Sequence, residues 1–239
     1  MTSKARLFYS QELKKGLISK LSKSQSHYIK NVMRLKQGDI VSLFNSINGE
    51  WDVTIINHEM ELIEFEVEKL SIPQKKENNI WLAFSPIKKI SQDIMFQKTT
   101  ELGIQNFFPI LCERSIVRDI NIERAKKIVI EASEQSNRIS VPEISKIQNL
   151  KNFLKNFPEN GYLIFCDINC ESSNLKNILT VKYPVCILIG PEGDFSEKER
   201  QLIVDHKRTI SISLAKNILR AETAAIAATT ILSYNLNFN

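Results

Sequence analysis

The sequence predicts the α/β class: a C-terminal α/β domain on a mainly parallel sheet, preceded by a small, mostly β unit with one helix. Three observations predict it. Residues 62–69 place Ile63, Phe65 and Val67 in alternation with Glu64, Glu66 and Glu68, the period-two pattern of a half-buried strand. After Ile80, short apolar runs alternate with helix-length segments. Between the two patterns lies the polar stretch Pro73 to Asn79, which reads as a linker. The expected domains are therefore 1–72 and 73–239.

In the first domain, residues 24–35 read as a helix with Tyr28, Val32 and Leu35 on one side. Residues 39–44 and 51–56 read as strands flanking a turn at Asn45 to Gly49. With the strand at 62–69 they suggest a small barrel. Phe44 and Trp51 are expected in its core. In the second domain the expected strands are Ile80–Phe84, Asn106–Leu111, Tyr162–Asp167, Val185–Ile189 and Thr209–Leu214. The expected helices are about 90–102, 122–137, 149–156, 196–206 and 220–234. Gly103 suits the position just past a helix end. Ser196 with Glu199 forms an S-x-x-E capping box.

Composition narrows the class. The chain has 239 residues, 43 % apolar and 25 % charged, which is material for a packed core and not for disorder. No apolar run approaches the roughly 20 residues of a membrane span. Met1 to Ser10 lacks the apolar stretch of a secretory signal. A soluble cytoplasmic protein is expected. Cys112, Cys166, Cys170 and Cys186 lack metal-site spacing and read as reduced core thiols. His27, His58 and His206 are scattered, so no metal is expected.

Net charge is only +5, but its arrangement is uneven. Residues 1–36 carry nine cations against Glu12 alone, whereas residues 37–73 carry eight acids against Lys69 alone. A basic face of that kind attracts phosphate polyanions. Parallel sheets bind ligands beyond the carboxyl ends of their strands, which directs attention to two loops. Gly190-Pro191-Glu192-Gly193-Asp194-Phe195 follows the strand Val185–Ile189. Its glycines suit close backbone approach of a ligand or, equally, a tight turn. Neither G-x-G-x-x-G nor G-x-x-x-x-G-K-[ST] occurs, which removes the main support for dinucleotide and P-loop readings. The second loop, Leu214 to Thr223, joins the last strand to an alanine-rich helix and carries Arg220 and Glu222.

Together these loops, G-P-E-G-x-F-S-x-x-E and then L-x-x-x-I-L-R-x-E-T-A, resemble the SPOUT-class RsmE methyltransferases. The likeness extends over nearly the whole chain: His27-Tyr28, Val32 to Lys36 and Gly38-Asp39; Lys98, Glu101 to Gly103, Pro109 and Glu113 to Ser115; Glu131-Ala132, Glu134 to Ser136, Arg138 and Pro142 to Ile144.

The resemblance implies a PUA-like RNA-binding barrel, a SPOUT domain with a deep trefoil knot, and a homodimer. It implies methylation of N3 of a uridine in 16S ribosomal RNA of the small subunit, with S-adenosylmethionine as cofactor. Leu188, Gly190, Pro191, Glu192, Gly193, Leu214, Ala215, Ile218, Leu219 and Thr223 would hold the cofactor, with Leu163–Asp167 as a further wall. Arg220 and Glu222 would be catalytic. Arg6, Arg34, Lys36, Arg114, Arg118 and Arg138 would contact RNA. Three positions depart from the pattern: Asp194 and Ala215 stand where glycine is usual, and Asn217 where arginine is usual. A positive φ at either former glycine would cost about 1 kcal/mol or more. The competing expectation is a non-catalytic RNA-binding or ribosome-assembly protein of the same fold with weakened cofactor binding.

Overall fold

The computed structural model describes residues 5–75, 79–170, 181 and 183–238. Part of the expected linker, residues 76–78, lies outside them. The chain divides into two units, Met1–Glu77 with Ser133–Val141, and Asn78–Ala132 with Pro142–Asn239. The excursion of Ser133–Val141 into the first unit is absent from the sequence-based boundary at 72/73.

The first unit is a five-stranded sheet: β1 (Arg6–Phe8), β2 (Ile18–Lys20), β3 (Ile40–Asn45), β4 (Gly49–Asn57) and β5 (Glu64–Ile72), ordered β1-β3-β4-β5-β2. β1 runs parallel to β3, and the other ladders are antiparallel. The sheet curls, and a side-chain bond bridges its two open edges: the Tyr9 hydroxyl just after β1 lies 2.7 Å from Ser19 Oγ in β2. Burial drives the curl. Ile63, Phe65 and Val67 lie inside, as their alternation requires, with Leu43, Ile55 and Ile29. Each such side chain contributes about 1.5–3 kcal/mol. Phe44 is fully buried, and Trp51 is half-buried with its indole N–H on the Asn48 carbonyl.

The helix at 24–35 differs from its expected form. α1 (Lys23–His27), capped by Ser22 and Gln25, passes into a π-helical turn, Tyr28–Val32. That turn shifts the helical face by one residue. Ile29 is buried and Leu35 beyond it is too, whereas Tyr28 and Val32 face solvent. Arg34, at φ 54°, ends the turn in the left-handed region.

Arg6 is a hub of this unit. Its guanidinium lies 3.6 Å over the Phe44 ring and pairs with Glu50 at 2.8 Å. The same group donates to the Ser133 carbonyl at 2.9 Å and the Arg138 carbonyl at 2.6 Å. Arg138 is itself buried and bonds Ser140. Both arginines, expected on an RNA-facing surface, are committed to internal partners.

The second unit holds β6 (Ile80–Phe84), α2 (Lys89–Glu101), β7 (Ile104–Leu111), α3 (Ile122–Gln135, its last residues counted with the first unit), β8 (Glu143–Ile144), β9 (Gln148–Asn149), α4 (Leu150–Asn156), β10 (Tyr162–Cys166), β11 (Val185–Ile189), α5 (Glu197–Val204), β12 (Thr209–Ile212) and α6 (Ala221–Phe238). The main sheet runs β12-β10-β11-β6-β7-β8, with β9 beside β7, and every ladder is parallel. β6 and β11 have the limits expected from sequence. Gly103 takes φ 108° past α2, where its N–H meets the Thr100 carbonyl at 3.0 Å. Phe84, Phe96 and Phe107 pack edge to face beneath the sheet centre. The buried Ala225 and Ala228 lie along α6, whose Ser233 bonds the Leu102 carbonyl past the end of α2. Because the strands are parallel, the segments after β6, β7, β10, β11 and β12 all emerge at one edge. Among the described residues no helix is long and apolar enough to cross a membrane.

Candidate active site

Two neighbouring strands, β10 and β12, open a cavity of about 80 Å³ at that carboxyl edge. Leu214, Ala215, Ile218 and Leu219 line it, with Cys166 and Asp167 opposite. Four residues of the expected cofactor set thus meet the expected strand-end wall. The remaining members lie elsewhere. Leu188 points into the core of β11, and Pro191 is buried. Gly190, Glu192 and Gly193 belong to the neighbouring loop, and Thr223 is exposed on α6. None of these five or Leu188 lines the cavity.

The walls suit a nucleoside. Ile212, Leu214, Leu219 and Ala224 are apolar, while Asp167 and Ser213 are polar. Residues 214–219 are in neither helix nor strand, and their amides donate no backbone hydrogen bond among the described residues. These free main-chain groups are what an adenine edge needs, since neither base nor ribose requires a charged partner. Asp167 is nearly inaccessible. Its carboxylate accepts from Arg200 Nη2 at 2.8 Å and Nε at 3.1 Å, and from the Asn169 N–H at 2.9 Å. The pairing raises the Arg200 pKa further and fixes the wall. Burial pushes the Cys166 thiol up to about 12, so this lining residue is a neutral thiol at pH 7.

The Gly190–Phe195 loop is braced. A Cβ on Gly190 would come within 2.7 Å of the Phe195 ring, so packing accounts for this glycine. Arg114, in the segment after β7, donates to the Gly193 carbonyl at 3.2 Å. The capping box at Ser196 is present, and its Glu199 also accepts the Glu113 N–H at 2.8 Å. Glu199 therefore ties two loops together; its capping role was legible in sequence, and its partner 86 residues away was not. Asp194 stands at φ 59°, the strained conformation feared for a lost glycine. Its own carboxylate eases the strain by accepting the Phe195 N–H at 2.8 Å. Ala215 has no positive φ.

Arg220 is exposed just before α6, and its carbonyl accepts the Ala224 N–H at 2.8 Å. Glu222, half-buried, accepts from Ser91 Oγ of α2 at 2.9 Å. Neither side chain lines the cavity. Arg34, Lys36, Arg114 and Arg118 are exposed.

The comparisons with known proteins agree with this architecture. A family model described as RNA methyltransferase domain matches residues 74–233, and one described as RNA methyltransferase PUA domain matches residues 21–66. The Rickettsia conorii ribosomal RNA small subunit methyltransferase E is 36 % identical over 208 residues, 84 % of this chain and 83 % of the relative. The Buchnera aphidicola (subsp. Schizaphis graminum) enzyme of the same description is 32 % identical over 95 % of this chain and 94 % of its own. Among solved structures, the Neisseria gonorrhoeae ribosomal RNA small subunit methyltransferase E bound to S-adenosyl methionine superposes with a TM-score of 0.86 at 27 % identity. That match covers 98 % of this chain and 99 % of the other. A Legionella pneumophila methyltransferase in complex with SAM gives 0.84 at 28 % identity over 97 % of both chains. The parallel sheet with its edge cavity, the curled N-terminal sheet and these full-length matches lead to one conclusion: the chain belongs to the RNA methyltransferase family whose relatives are ribosomal RNA small subunit methyltransferases E.

Proposed function

We propose that this protein methylates N3 of a uridine in 16S ribosomal RNA of the small subunit, with S-adenosylmethionine as methyl donor. The observation that carries the reading is the cavity at the ends of β10 and β12, with apolar walls and unpaired main-chain amides in residues 214–219. These residues fit an adenosyl group. Leu214, Leu219 and Ala224 would face the base, Ser213 would stand near the ribose hydroxyls, and Asp167 with Arg200 would hold the wall behind them. When bound, the cofactor supplies an electrophilic methyl group on a sulfonium.

The chain's own residues position and deprotonate the target. N3 lies on the Watson–Crick edge, so the uridine must leave its stack. N3 also loses its proton as the N–C bond forms, and the negative charge developing on the uracil needs a cation. Arg220 is exposed and makes no side-chain bond among the described residues, so its guanidinium is available for that charge. Glu222, the carboxylate beside it in sequence, accepts the N3 proton. Its bond to Ser91 favours a second role, holding the turn that carries Arg220. Arg34, Lys36, Arg114 and Arg118 are the proposed phosphate contacts, and Arg6 and Arg138 leave that set.

Three further features belong to the proposal. A homodimer is supported by Ile90, Ile94 and Tyr234, large apolar side chains exposed on α2 and α6. A trefoil knot is supported by the strand order, in which the chain goes from β10 to β11 and back past β10 to β12. The cytoplasm is where the proposed substrate resides.

The test is transfer of a labelled methyl group from S-adenosylmethionine to small subunits lacking their native methylations. N3-methyluridine is expected, and Arg220→Ala should lower turnover by about 100-fold or more with the cofactor still bound. A different methylated nucleoside reassigns the target. No transfer and no cofactor binding would leave only RNA binding.

A further inference from the structure

The cavity at the ends of β10 and β12 changes character from its inner walls to its rim. The inner walls are apolar: Ile212 is buried, and Leu214, Leu219 and Ala224 are half-buried beside it. The rim is the run Ala215 to Ile218, exposed at every position. A charge carried onto the inner walls would lose its water without gaining a partner. The cavity therefore suits a ligand that is apolar at one end and charged at the other.

Charge on the lining is unevenly placed. Among the described residues that line the cavity, Lys216 is the single cation and Asp167 the single anion. They do not answer each other. The Asp167 side chain is 1 % exposed and is taken up by Arg200 at 2.8 Å, a pair closed into the wall. Lys216 is exposed at the rim, and its ammonium has no hydrogen bond or ion pair among the described residues. Glu222 does not compensate it, for that carboxylate lies off the lining and accepts from Ser91. One uncommitted positive charge thus stands at the mouth. Just before it, Ser213 Oγ donates to the Ala215 carbonyl at 3.3 Å, a bond that bends the chain leading into Lys216.

We infer that Lys216 binds the carboxylate of the methyl donor's amino-acid tail, and so selects a nucleoside that carries such a tail over one that lacks it. The inference rests on the function proposed above. S-adenosylmethionine has its adenine at one end and its carboxylate at the other, which matches apolar inner walls and a cationic rim. A lysine suits the task, being a point charge on a flexible stem that needs no fixed fork geometry. Lys216 also stands alone on the lining, whereas a phosphate backbone is met by several cations in a row. Because the pair forms at an exposed rim, it contributes a modest factor, about fivefold in affinity, and salt screens it.

The experiment is titration calorimetry of the full chain with two ligands, S-adenosylhomocysteine and methylthioadenosine. Both carry the adenosine and the sulfur, and only the first carries the amino-acid tail. Lys216→Met should weaken S-adenosylhomocysteine about fivefold and leave methylthioadenosine unchanged. Lys216→Arg should restore most of the loss. Added salt should weaken S-adenosylhomocysteine binding to the native chain more than to the Lys216→Met chain. Both variants should keep the native melting temperature, since the side chain they replace is exposed and unbonded. An equal loss for both ligands, or no loss for either, overturns the inference. A gain for S-adenosylhomocysteine also overturns it, by placing the tail's ammonium and not its carboxylate beside Lys216. Weaker binding of small ribosomal subunits with unchanged S-adenosylhomocysteine affinity would assign Lys216 to RNA phosphate instead. If the native chain binds neither ligand, the cofactor reading fails first and takes this inference with it.

Discussion

The two loops at the carboxyl edge differ in how they are held. The Gly190–Phe195 loop is fastened from every side: Arg114 on the Gly193 carbonyl, Asn169 on the Asp194 carboxylate, and Phe195 against Gly190. Residues 213–219 have almost nothing comparable, and Ile218 is 82 % exposed. The first loop uses its polar groups on the protein, whereas the second keeps its main-chain groups for something else. A motif rich in glycine is therefore not automatically the ligand-binding surface. Here Gly190 answers a packing need, and the plainer sequence lines the cavity.

If that contrast is right, substitutions in the two loops will register in different measurements. Gly190→Ala should have the largest effect, because its methyl meets the Phe195 ring at 2.7 Å. Overpacking of this kind costs about 1–3 kcal/mol, and calorimetry should show a lower melting temperature that Phe195→Leu partly restores. Glu199→Gln comes next. It weakens the cap and the bond to the Glu113 N–H together, a loss of about 1–2 kcal/mol, again visible in thermal unfolding. Leu219→Ser belongs to the open loop. It should leave the melting temperature in place and weaken S-adenosylmethionine binding about tenfold, as titration calorimetry would report, through loss of apolar contact. A drop in stability without a change in affinity would dissolve the contrast. Asp194→Gly should do least, within about 1 kcal/mol, because relief at φ 59° offsets loss of the carboxylate bonds.

Local pattern made much of the fold legible. The alternation at 62–69, the apolar strands Ile80–Phe84 and Val185–Ile189, and the capping box at Ser196 each depend on neighbours in sequence, and each is present in the structure. What was not legible depends on distance or on brevity. β1 and β2 have three residues each, too few for a period to register. The π-helical turn at Tyr28–Val32 breaks the 3.6-residue rule that placed Tyr28 and Val32 together with Leu35. At the site, the rule that parallel sheets bind ligands at their carboxyl ends pointed to the loops after Ile189 and after Leu214, while the strand-end wall and the cofactor residues within 214–219 came with the family resemblance. The Asp167–Arg200 pair and the Ser91–Glu222 bond came from neither, since nothing in one sequence links residues 33 or 131 positions apart. Arg6 misled for the same reason. A cation in a basic segment reads as surface, and only the folded chain reveals Glu50 and the carbonyls of Ser133 and Arg138 around it.

That same arginine orders the protein's birth. Its acceptors at 133 and 138 are translated some 130 residues after it, when β6 and β7 have already been made. A nascent chain stopped after β5 would own all five strands of its first sheet and still leave Arg6 with Glu50 and Phe44 as its only partners among the described residues. The segment around Arg6 is thus completed long after it is synthesised, and the unit that holds it matures only once residue 138 has been made.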